Sequence, residues 1–108
     1  MFKSYIDEIH DFLNLYDNGY FNDISNINSN TFLEHYKVYH RYKCIAKILN
    51  LRHLDIELNK SLYLKFYDKI EHLKHIHDNH AYQNAIVKFM NNVLINFEYK
   101  LNDISSLK

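Results

Sequence analysis

Proline is absent from these 108 residues, and glycine occurs once, at Gly19. Both residues end helices and make tight turns, and glycine lets backbone approach phosphates. A chain nearly without them has few ways to reverse sharply. Its apolar residues meanwhile recur at i, i+3, i+4 spacing almost from end to end, the repeat of an amphipathic helix. Together these facts predict an all-α fold: a compact antiparallel bundle of four helices, or of five, in a single helical domain over 1–108. A chain of this length can enclose one core.

Helix starts and stops follow from local chemistry. The first helix is expected over about 4–17, capped by Ser4, with Tyr5, Ile6, Ile9, Phe12, Leu13 and Tyr16 on one stripe. Asp17-Asn18-Gly19 should end it, since glycine enters the left-handed region without steric cost. Residues 20–30 have loop composition, pinned by Tyr20, Phe21, Ile24 and Ile27. Thr31 and Glu34 have the form of a capping box opening a second helix over about 32–49. Its core stripe is Val38, Tyr42, Ile45 and Leu49, and its outer face carries Lys37, His40, Arg41, Cys44 and Lys47. Near Asn50 the stripe changes phase to Leu51, Leu54, Leu58 and Leu62, which predicts a bend or short connection. The third helix is expected to reach about 77, kinked at Asn59-Lys60-Ser61. The fourth, about 80–104, shows Tyr82, Ile86, Phe89, Met90, Val93, Phe97, Leu101 and Ile104, with Leu94 at the margin.

Composition narrows the chemistry. Net charge is zero with histidine neutral, so no global field draws nucleic acid or an anionic membrane. Charge is uneven, however: acidic residues dominate the first helix and basic ones the second, most simply as complementarity within the bundle. Cys44 is the only cysteine, which leaves no disulfide framework and no thiolate zinc site. The first residues lack the apolar stretch of a signal peptide, and no apolar run reaches membrane-spanning length. A cytoplasmic location, in the producing cell or a host, is therefore expected. Fourteen Asn, twelve Ile and eleven Lys against two Arg point to an AT-rich genome, so codon bias contributes to the tyrosine and asparagine richness.

Several constellations invite function and have simpler readings. Asp68, His72 and His75 stand at i, i+4 and i+7 and can converge on one ion. They lie opposite the apolar stripe, where a solvated face is expected anyway, so no metal and no cofactor is assigned. His40 and Cys44 are spaced for a thiolate pair, yet no orienting group or oxyanion hole accompanies them. His35 is expected to be half-buried and hydrogen-bonded beside Tyr39 and Tyr42. G-x-S-x-G, phosphate-cradling glycine loops and dinucleotide fingerprints are all missing. The R-x4–6-H pattern of small helical HEPN-type ribonucleases is missing after both Arg41 and Arg52. No enzyme is expected.

Two binding readings remain. Tyr63 and Tyr67 on the third helix, and Ile95 and Tyr99 on the fourth, are apolar pairs off the core stripes, the composition of partner sites and homodimer seams. They predict a protein-binding module: an inhibitor, immunity-type antagonist, adaptor or regulatory subunit, engaging another protein or a second copy of itself. Bacteriocin immunity proteins and phage-encoded antagonists offer an analogy of size and fold class, with no shared motif. The rival is a nucleic-acid-binding regulator using Lys37, Arg41, Lys43, Lys47 and Arg52. Residues 46–56 resemble a helix-turn-helix, although Asp55 and Glu57 in its second helix would repel phosphate.

Overall fold

The structure, a computed structural model, describes residues 5–22, 27–52, 54–69 and 79–106. Among the described residues, four α-helices follow in order: α1 (Tyr5–Asp17), α2 (Phe32–Leu51), α3 (Ile56–Phe66) and α4 (Asn79–Ser106). A 3-10 turn, Tyr67–Lys69, continues α3. No strand occurs among the described residues, so the all-α expectation holds. Ser4, the expected cap of α1, lies outside them, as does Ile24.

The end of α1 matches its sequence signal. The Tyr20 N–H donates to the Leu15 carbonyl and the Gly19 N–H to that of Tyr16, each at 3.0 Å. These are the paired bonds of a Schellman stop, and Gly19 supplies its left-handed residue at φ 78°. The chain emerges pointing Phe21 inward. Its ring lies 5.0 Å from Phe12 of α1, 6.4 Å from Tyr42 of α2 and 5.2 Å from Phe97 of α4. Lys100 reinforces the plug by donating to the Phe21 and Asn22 carbonyls, each at 3.4 Å.

The start of α2 departs from expectation. Thr31 makes no capping bond into the helix. The Asn28 side chain instead accepts from the Asn30 and Thr31 N–H groups at 2.8 and 3.1 Å. An asparagine turn competes well for these backbone donors, and it displaces the expected capping box. At the other end α2 runs through Leu51, which is 72% exposed rather than part of the next core stripe. A short connection follows, as the phase change implies, and Asp55 caps α3 by accepting from the Glu57 N–H at 2.8 Å. α3 runs unbroken through 59–61, where the sequence suggested a kink. Asn59 is buried there, its amide donating to the Leu54 carbonyl at 3.1 Å. The helix ends at Phe66, short of the expected 77; residues 70–78 lie outside the described set.

Packing settles which margin of each stripe turns inward. Early α2 meets late α4 where the Tyr39 hydroxyl donates to Glu98 at 2.7 Å. Late α2 meets early α4 at Gln83, which is 6% exposed. Its amide donates to the Leu49 and Arg52 carbonyls and accepts from the Leu54 N–H at 3.0 Å. One side chain thus satisfies backbone groups that the end of α2 would otherwise leave orphaned. Along α4, Met90, Leu94, Phe97 and Leu101 are fully buried. Phe89 is half-buried, with its ring against Tyr16 and Phe66 at 5.0 and 5.5 Å. Leu94 is therefore core, not margin. Tyr39 and Ala46 likewise replace Val38 in the core of α2, because α2 is flanked on both sides.

Candidate functional site

The two longest helices leave a groove of about 350 Å³ between them, lined by Lys43, Ala46, Lys47 and Asn50 of α2 and Asn91 and Ile95 of α4. Its depth has a local cause. Ala46 is fully buried and presents only a methyl group, so α2 is flat where longer side chains flank it. Two lysines and two asparagines line it, with no carboxylate residue among the lining. Ile95 is 40% exposed, and Tyr99, one turn further along α4, is 67% exposed.

Toward early α2 stands an aromatic cluster. The Tyr36 ring lies 5.7 Å from Tyr39 and 4.7 Å from His40. The Lys43 ammonium sits 5.9 Å from the Tyr39 ring centre, where the ring quadrupole favours a cation. Burial, and then the hydrogen bond to the Glu98 carboxylate, push the Tyr39 hydroxyl pKa up to about 12. Glu98 is thus already engaged by this hydroxyl.

The expected partner-binding residues separate. Ile95 and Tyr99 are exposed, as required of a contact surface, and Tyr67 is half-buried. Tyr63 corrects the expectation: it is 5% exposed, with its ring 4.8 Å from Tyr82 of α4. α4 covers the margin of α3 that spacing alone left outside.

The basic residues of the nucleic-acid rival separate too. Arg41 turns to α1, where its guanidinium donates to Glu8 at 2.7 Å, and that contact holds its pKa up. Arg52 lies over the Tyr5 ring at 5.9 Å. Lys43 and Lys47 turn the other way, into the α4 groove, while Lys37 is exposed. Asp55 caps α3 from outside it and does not lie in a recognition helix. The Arg41–Glu8 pair is one instance of the complementarity expected between α1 and α2.

Among the described residues, no group of three or more His, Cys, Asp or Glu side chains is placed to hold a metal. Asp68 is exposed in the 3-10 turn, and His72 and His75 lie outside the described set. Cys44 is exposed, while the His40 ring packs edge-on against Tyr36 and Tyr39. His35 shares a 2.7 Å hydrogen bond with the Tyr20 hydroxyl through its Nδ1. Sequence reasoning missed Asn50 and Asn91 as groove residues. The available signal was Asn91-Ile95-Tyr99, spaced by four on α4.

No family model matches the chain, and no curated protein or solved structure is significantly similar to it. No described helix is long and apolar enough to cross a membrane.

Proposed function

We propose that this chain is a non-enzymatic protein-binding module, acting as an inhibitor, immunity-type antagonist, adaptor or regulatory subunit, and that it engages its partner across α2 and α4. We read the helices as an antiparallel bundle in which these two longest members form the working face. The observation carrying the reading is the exposed Ile95–Tyr99 pair on α4, of which Ile95 lines the groove. A large ring that desolvates while its hydroxyl keeps a partner is favoured at protein contacts. Division of the basic residues between opposite sides of α2 weakens the nucleic-acid rival, which needs phosphate-binding cations on one surface.

Affinity purification of the tagged chain from its native source tests this. The expected result is a stoichiometric protein partner whose binding weakens by about 1–2 kcal/mol or more in Tyr99→Ala, typical of a contact hot spot, with thermal stability unchanged. Recovery of nucleic acid, with binding that falls steeply with salt and is lost in Lys37→Gln and Lys47→Gln, would favour the rival.

A further inference from the structure

We propose that the α2/α4 groove receives an acidic amphipathic helix of another protein, its carboxylates against Lys43 and Lys47 and its apolar side chains over Ile95 and Tyr99. This inference rests on the protein-binding reading and specifies the partner's chemistry.

Charge is the first argument. Two lysines and no carboxylate residue line the groove, with the Lys43 ammonium 5.9 Å from the Tyr39 ring centre. Complementary charge steers an acidic partner and disfavours a basic one. Periodicity is the second. Lys43 and Lys47 are four residues apart, with Asn50 at i+7, and Asn91, Ile95 and Tyr99 repeat every four along α4. Both walls therefore repeat at about one helical turn, the spacing at which a helix laid in a groove presents its anchors. Acids at i and i+4 on one margin of such a helix match the lysines, while an adjacent apolar stripe meets Ile95 and Tyr99.

Shape is the third. A volume of about 350 Å³ lies at the small end for a pocket that engulfs a molecule. With Ala46 as floor and a helix on either side, it suits side chains projecting from a segment lying along the protein. Two groove lysines make few phosphate contacts, whereas the apolar wall contributes only against a partner with apolar side chains of its own.

The test pans a phage-displayed library of random 16-residue peptides on the full chain and titrates a selected peptide, fluorescein-labelled, by anisotropy. Enriched sequences are expected to carry Asp or Glu three to four residues apart, interleaved with Leu or Phe. Binding should weaken at least tenfold in Lys43→Gln/Lys47→Gln and in Ile95→Asn, and stay unchanged in Lys60→Gln on α3. Replacing the peptide's acids by Gln or Asn should weaken it equally, a readout independent of whether any protein variant folds. Peptides without acids, or unaffected by the groove substitutions, overturn the inference while leaving the protein-binding reading intact. Failure to enrich any peptide overturns it too, and the purification experiment then decides the broader reading. Displacement of the peptide by a 20-nucleotide single strand, or by association of the chain with itself, would assign the groove to a different occupant.

Discussion

At the scale of single residues, Gln83 carries more of the fold than its type suggests. It is a polar side chain buried where the ends of α2 and α4 meet, bonded to backbone groups of Leu49, Arg52 and Leu54. Gln83→Ala leaves those groups without this partner, at about 1–3 kcal/mol for each one that stays buried. Urea unfolding should show a loss of roughly 2–4 kcal/mol on that basis, and a loss within 0.5 kcal/mol, the scale of a surface change, would mean water replaces the amide. Tyr39 has a pH signature. Its hydroxyl pKa lies at about 12, above the value near 10 of an unfolded tyrosine. Between those values the unfolded chain releases its proton first, so stability present below pH 10 is lost as pH rises toward 12. Burial raises the Tyr20 and Tyr42 pKa values in the same direction. Tyr39→Phe should therefore reduce, without abolishing, the decline of urea midpoints measured between pH 9 and 11. An unchanged slope would remove Tyr39 from the alkaline transition. None of this was legible in the sequence, because Gln83 and Glu98 meet partners some 30 to 60 residues away.

At the scale of elements, locally encoded boundaries were legible and tertiary ones were not. The stop of α1 needs only Gly19 and hydrogen bonds spanning five residues. A side chain at Gly19 would meet nothing within 4 Å, so Gly19→Ala should cost about 1–2 kcal/mol purely from the left-handed backbone. Thermal denaturation checks it; no change in melting temperature would mean that the turn relaxes to another conformation. The start of α2 shows the limit of pattern reading. Thr31 and Glu34 have the right spacing, but the Asn28 side chain takes the Thr31 N–H that Glu34 would accept, and the Asn28 N–H donates to the Thr31 hydroxyl. At Asn59 a residue with weak helix propensity reads as a breaker, yet it stands inside α3 with its amide bonded to Leu54 of the preceding connection. Of the candidate site, the Ile95–Tyr99 pair was visible as a departure from the α4 stripe. The groove beside it was not, since it depends on Ala46 of another helix.

For the whole molecule, the core holds an aromatic chain from Phe12 through Phe21 to Phe97, and a second set, Tyr16, Phe89 and Phe66, joins α1, α4 and α3. Phe97 is fully buried where the turn after α1 meets α4, so Phe97→Ala should cost roughly 3–5 kcal/mol through lost transfer energy and the cavity left behind. A loss below about 1 kcal/mol by chemical denaturation, less than ordinary core truncations cost, would contradict that placement. The sequence by itself determined that the chain is helical and roughly where it is punctuated. A missing proline, one glycine and a 3.6-residue repeat act on backbone within a few residues. Only the tertiary structure decided which flank of each helix is inside. Leu94 and Tyr63 turn inward, Val38 stays half out, and Leu51 faces solvent. Burial is a property of a helix and its neighbours together, and a stripe is wide enough to be covered from either side. The same dependence made the groove: its lysines and methyl floor come from α2 and its apolar wall from α4, at positions more than forty residues apart.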